Sequence, residues 1–191
     1  MMASLTERSQ AAGSVLAVLA GQHACIRDLL AEVHDGSGVA RAESFDALRR
    51  LLAAHETAEE LVLRPVSVQI MSRDDTTDRN HEERRIIGLL AELEGLDVLG
   101  GPRFDRLFRP FEQYIAEHLA LEESAEFPVI EAEVDAHERL TMGRWIHRAL
   151  VLGPTRAHPV AAGYPTAQRA TAPFAALADH ARDLFERTRA R

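Results

Sequence analysis

The sequence predicts an all-α chain, an antiparallel four-helix bundle with additional C-terminal helices. Four long segments carry apolar residues at steps of three and four, the spacing of one helix face. The apolar residues, 46% of the chain, are mostly Leu, Ala, Val and Ile, and aromatics are only 5%, a balance that favours helices over strands. A repeat divides the chain into two helix pairs. Residues 55–65 read HETAEELVLRP and residues 118–128 read HLALEESAEFP, both His-x3-Glu-Glu-x4-Pro. Each copy is preceded by a helix bearing one histidine, His23 or His81, with an arginine four residues later, Arg27 or Arg85.

The first segment runs from about residue 13 to Asp35, where Gly36-Ser37-Gly38 stops it. The second begins near Ser44 and continues past Leu63, with Pro65 expected to kink it near its end. The polar stretch Ser72 to Asn80 reads as the crossing loop. The third segment covers roughly 78–98 and ends at Gly100-Gly101-Pro102. The fourth runs from about 103 into the 130s, interrupted or kinked at Pro110 and Pro128. A further helix is expected from Asp135 to Leu152, carrying the single tryptophan, Trp145. Residues 1–152 thus form the bundle and its following helix. Residues 153–191 read as an extended arm, 153–173, and a last helix, about 174–189, packing on the same domain. Short loops between the helices imply antiparallel neighbours.

Composition excludes several classes of function. A net charge of −8 argues against a nucleic-acid surface, and the basic tail 182–191 is too short to reverse that. No apolar run approaches the roughly 20 residues that span a bilayer, and the N-terminus lacks a secretion signal's apolar core. The single cysteine, Cys25, excludes an internal disulfide and fits a reducing cytoplasm. The expected location is cytoplasmic.

Polar residues occupy core positions. Residues four apart on a helix lie about 40° from each other and roughly 6 Å along the axis, so His55 with Glu59 and His118 with Glu122 point off one face. That face is the apolar one. The stripes read Leu16, Leu19, His23, Ile26, Leu30, Val33; then Leu48, Leu52, His55, Glu59, Val62, Val66; then Phe104, Leu107, Phe111, Ile115, His118, Glu122, Ala125, Val129. Burying carboxylates and imidazoles without compensation is costly, and no Lys or Arg shares these stripes beside the glutamates. A pair of metal cations compensates them. Imidazole with carboxylate in a bundle core suits iron, and manganese or zinc less specifically. The predicted ligands are His23, His55, Glu59, His81, His118 and Glu122, around a di-iron, carboxylate-bridged centre with open positions for O2 or hydrogen peroxide. His81 rests on the repeat alone, because the stripe of its helix, Ile86, Leu89, Leu93, Leu96, is rotated away from it. The ferritin-like alternative needs Glu-x-x-His, which occurs nowhere in the chain.

Other residues carry two readings each. Tyr114, one turn before His118, is either an ordinary half-buried bundle tyrosine or a neighbour of the cluster. Glu56 is a surface charge or a supplementary ligand. Glu60 and Glu123 are acceptors for ligand imidazoles, or charges that pair with Arg27 and Arg85. Cys25 reads as a small packed residue. His34, His137, His147, His158 and His180 fall outside the repeat and read as surface or structural, and 131–138 reads as a solvated helix face.

With His23, HETAEE at 55–60, His81 in RNHEERR and HLALEE at 118–123, the sequence resembles the hemerythrin-like proteins with the His-His-Glu cation-binding domain. The similarity covers at least residues 13–135, and GPTRAHP at 153–159 resembles the tails of actinobacterial members. The resemblance implies a bundle with a non-haem di-iron centre. Its oxygen carriers place a second histidine on the third helix, one turn after the first, where this chain has Arg85. That departure points away from simple oxygen carriage. It leaves catalase-like peroxide chemistry, or an iron- or oxygen-sensing module whose protein partner meets the C-terminal region.

Overall fold

The computed structural model describes residues 13–71, 73–99 and 101–152, the side chains of 73–80, 83, 151 and 152 excepted. The expectations for 153–191, including the arm, the last helix, His158 and His180, lie outside the described residues. Among the described residues there is no strand. Helix α1 is Val15–Asp35 and α2 is Gly38–Ala58, which widens into a π turn, Glu59–Leu63, and continues as α3, Arg64–Ile70. Helix α4 is Arg73–Glu94. Helix α5 is Pro102–Leu121, followed by a second π turn, Glu122–Glu126, and by α6, Phe127–Glu133. Helix α7, Ala136–Leu152, follows.

Local chemistry sets the ends. Ser14 caps α1, its side chain accepting from the Ala17 N–H at 3.3 Å. Gly38 opens α2 with φ +57°, a backbone that L side chains rarely adopt. Proline at the start of α5 loses nothing, because the first N–H of a helix has no partner within it.

α1 packs on α2, α2 on α4, α4 on α5 and α5 back on α1, which closes a four-helix ring. Two apolar clusters give the helix directions. The start of α1 (Val15, Val18, Leu19) packs with the end of α2 and the turn after it (Ala58, Leu61, Val62). The end of α1 (Ile26, Leu29, Leu30, Val33) packs with the start of α2 (Phe45, Leu48, Leu52), with Ile86, Leu90 and Leu93 of α4, and with Phe104, Phe108 and Phe111 of α5. Neighbours therefore run antiparallel, as the short loops imply. α7 lies against α1 and α2 and closes the first cluster through Met142, Ile146 and Ala149. It comes so close that a Cβ on Gly143 would stand 2.2 Å from the Gly13 carbonyl oxygen.

Three expectations are corrected. The stretch expected as a crossing loop, 72–80, is mostly the first turns of α4, which starts at Arg73. Helix α2 starts at Gly38 rather than Ser44. Pro110 does not interrupt α5; it lies on the exposed side of an unbroken helix. Pro65 and Pro128 act four residues upstream of themselves. A proline ring clashes with the carbonyl four residues back, and a π turn relieves that by adding one residue. The Arg64 N–H reaches the Glu59 carbonyl and the Phe127 N–H reaches the Glu122 carbonyl, each five residues back. The repeat is thus a repeat of structure, with each wide turn opening at its glutamate.

Candidate metal centre

At the waist of the bundle, between the two apolar clusters, polar side chains converge. His23 comes from α1, His55 and Glu56 from α2, Glu59 from the first π turn, His118 from α5 and Glu122 from the second π turn. His23, His55, Glu59 and Glu122 are fully buried; His118 and Glu56 are 3% and 4% exposed, comparable with Leu30 and Phe45 of the core. Two groups of ligand-type atoms form. In His23, His55, Glu59 and Glu122 all four lie within 4.8 Å of one another, and Glu56, Glu59 and His118 do the same. Glu59 belongs to both. Glu122 also reaches both ways, with Oε2 3.4 Å from His23 Nε2 and Oε1 3.3 Å from His118 Nε2. His55 Nε2 lies 3.4 Å from Glu59 Oε1, and His118 Nε2 3.7 Å from Glu56 Oε1.

The other ring nitrogens fix the tautomers. Carboxylate and amide oxygens only accept, so His23 Nδ1–H donates to Glu123 Oε1 at 2.9 Å and His55 Nδ1–H to Gln22 Oε1 at 2.7 Å. The Nε2 lone pairs then face the cluster. Arg27 holds Glu123 with two hydrogen bonds of 2.9 Å, one to each oxygen. Glu123 therefore takes both of its expected roles at once. On His118, Nδ1 lies 3.6 Å from Glu82 Oε2. The His23 ring also stacks on Phe127, the first residue after the second π turn, with centroids 5.4 Å apart.

Electrostatics make this group costly on its own. Burial, reinforced by neighbouring imidazoles, lowers His55 to about 3, so its ring is neutral. Burial raises Glu56 to about 7 and pushes Glu59 well above the usual carboxylate range, where Glu122, Glu56 and Glu126 add to the effect. Burial also acts to raise Glu122, but His118, His23 and His55 outweigh it and hold this carboxyl low. The Nε2 atoms of His23 and His55 and both oxygens of Glu56, Glu59 and Glu122 are buried with no hydrogen-bond partner. Such atoms cost on the order of 1–3 kcal/mol each unless something else satisfies them. Cations fit. Metal–ligand bonds of about 2.0–2.2 Å place adjacent donor atoms roughly 3.0–3.5 Å apart, close to the spacings seen here.

Of the six residues predicted as ligands, five converge and His81 does not. It is exposed on α4, whose buried face runs through Ile86, Ile87, Leu90 and Leu93. Glu56, read mainly as a surface charge, stands inside the cluster instead. Periodicity missed it because every residue from Leu52 to Arg64 is buried, α7 covering a side that a simple bundle leaves open. Glu60 is likewise buried, at 2% exposure. Beyond the second π turn the buried positions are Glu126, Phe127 and Ile130, rather than the expected Ala125 and Val129, because the wide turn advances the pattern by one residue. Glu126 accepts a short hydrogen bond from Ser67, and Arg64 lies 3.9 Å away. Tyr114 is half-buried, with the Arg85 guanidinium 4.0 Å above its ring. His34 pairs with Glu112 at the surface, and His137 is exposed.

Among the described residues no helix is long and apolar enough to cross a membrane. No solved structure matches the chain at a significant level. A hemerythrin-like protein of Schizosaccharomyces pombe is 27% identical over 143 residues, covering 71% of this chain and 68% of that protein. The hemerythrin HHE cation-binding domain matches residues 14–130, the stretch that supplies every residue of the cluster. The chain belongs to the hemerythrin HHE cation-binding family.

Proposed function

We propose that the waist of the bundle holds two iron ions bridged by Glu59 and Glu122, and that the centre binds and reacts with O2 or hydrogen peroxide. The observation that carries this reading is the double reach of the two glutamates. Glu59 belongs to both ligand groups, and the two Glu122 oxygens face different histidines. His23 and His55 would hold one ion, and His118 and Glu56 the other. His81, exposed on α4, would be the further ligand of the second ion.

Iron bound there supplies adjacent redox-active ions with open positions for a small oxygen species. The chain does the rest. The neutral His55 ring offers its lone pair without first losing a proton. Arg27 and Glu123 keep the His23 proton on Nδ1 and its lone pair on the cluster side. The apolar clusters above and below exclude bulk water, which strengthens every charge interaction between them. With Arg85 where the oxygen carriers have a histidine, the reading favours peroxide decomposition over storage.

Metal analysis and the near-ultraviolet spectrum, before and after peroxide, test this. Two irons per chain, charge-transfer absorption that responds to peroxide, and many equivalents of peroxide consumed are expected. Zinc, or no metal, in protein produced with ample iron overturns the reading.

A further inference from the structure

A cleft of about 390 Å³ opens between α4 and α5, and His118 forms part of its wall. The other residues of the cluster are sealed, yet any ion that reaches them must cross the protein. The cleft wall carries ligand-type groups. Glu117 is exposed and accepts a hydrogen bond of 2.8 Å from Gln113, and Glu82, its side chain 40% exposed, has Oε2 3.6 Å from His118 Nδ1. Among the described residues that line it, the one guanidinium, on Arg85, is held over the Tyr114 ring.

We propose that this cleft is the route by which divalent metal ions load the buried centre, with Glu117 and Glu82 as successive carboxylate stations that pass the ion to His118. The proposal rests on the metal reading above and adds a path to it. Among the described lining residues two carboxylates stand against one guanidinium, which attracts a cation from solvent; such attraction raises association rates and weakens with salt. Carboxylates at the surface shed and regain water more easily than a sealed site does, so they suit transit rather than retention. Neither Glu82 nor Glu117 belongs to either of the tight ligand groups.

Cobalt(II) added to metal-free protein tests the route, because its visible absorption follows uptake without any redox step. Glu82→Gln with Glu117→Gln is expected to slow uptake about tenfold and to flatten its dependence on salt, with the same final number of ions per chain. A control with Glu43→Gln and Glu131→Gln, two exposed carboxylates elsewhere, removes the same charge and is expected to load at the parent rate. The route is overturned if the cleft variant loads as fast as the parent, or if the control slows equally. A lower end-point in the cleft variant overturns it too, since the two glutamates are then ligands. Failure of the parent protein to bind cobalt or iron at all instead sinks the metal reading on which the route depends.

Discussion

The two halves of the chain share a sequence pattern but not a geometry. In the first half His23 is sealed in the core, its ring stacked on Phe127 and its Nδ1 tied through Glu123 to Arg27. In the second half the matching His81 is exposed, and the matching Arg85 lies over Tyr114. The difference lies in helix phase. The buried face of α1 passes through His23, because Leu19, Ile26 and Leu30 sit at steps of three and four from it. The buried face of α4 runs through Ile86, Ile87, Leu90 and Leu93 and misses His81, which is exposed. A local repeat therefore guarantees local structure, which here is two matching π turns. The phase of each partner helix is set by its own apolar residues.

The sharpest break comes from the residues the halves share. Glu122→Ala is expected to abolish binding of both ions, measured as metal per chain after dialysis, because it removes a bridge and one face of each site. The comparison itself is tested by two single changes. His23→Ala is expected to lose one ion, whereas His81→Ala retains both with affinity weakened by about tenfold or less. Equal losses from the two would mean that metal turns α4 until the halves match. Next in size is Glu123→Gln, which unlocks the His23 ring and is expected to weaken the ion there by about 10- to 100-fold in competition with a chelator.

A smaller effect concerns pH in the metal-free protein. Glu56 is held protonated to about 7 by burial, against 4.5 unfolded. Its contribution to stability is therefore complete below 4.5 and is lost as pH rises through 7. That loss is on the order of 3 kcal/mol at about 1.4 kcal/mol per unit. His55, lowered from 6.5 to about 3, works the other way, its contribution present above 6.5 and lost as pH falls towards 3. The two slopes oppose each other between 4.5 and 6.5. Glu56→Gln is expected to remove the Glu56 slope, so that stability falls less steeply, or rises more steeply, between pH 4.5 and 7 in urea titrations than it does in the parent. The smallest effect is Arg85→Ala, expected to cost about 0.5–1 kcal/mol of stability through the lost stacking on Tyr114.

Much of this was legible in the residues. The bundle, its directions and five of the cluster residues follow from apolar stripes with polar interruptions, because burial on one face of a helix writes a period into the sequence. Two kinds of feature left no such mark. Where α7 covers a second side of α2, the period vanishes, and Glu56 looks like a solvent charge. Where the helix widens, the period jumps, and Arg64, Ser67 and Glu126 fall off the extrapolated stripe. Only the two prolines, six residues past the glutamates at which the turns open, hint at where they occur. The polar stretch Ser72 to Asn80 reads as a loop, yet α4 already starts at Arg73, because a helical turn can form without an apolar stripe to announce it.

Each π turn holds one residue more than an α turn, so the chain beyond it is indexed about 100° away from an unbroken helix. The part before the turn answers to the cluster and the part after it to the apolar end of the bundle. Each can drift in sequence without turning the other. Removing one residue from 60–63 would merge the two registers, leaving His55 in place while Val66 and Ser67 swing out of the core. A single-residue deletion there is thus a rotation applied to half a helix, with His55 and Glu59 on its fixed side.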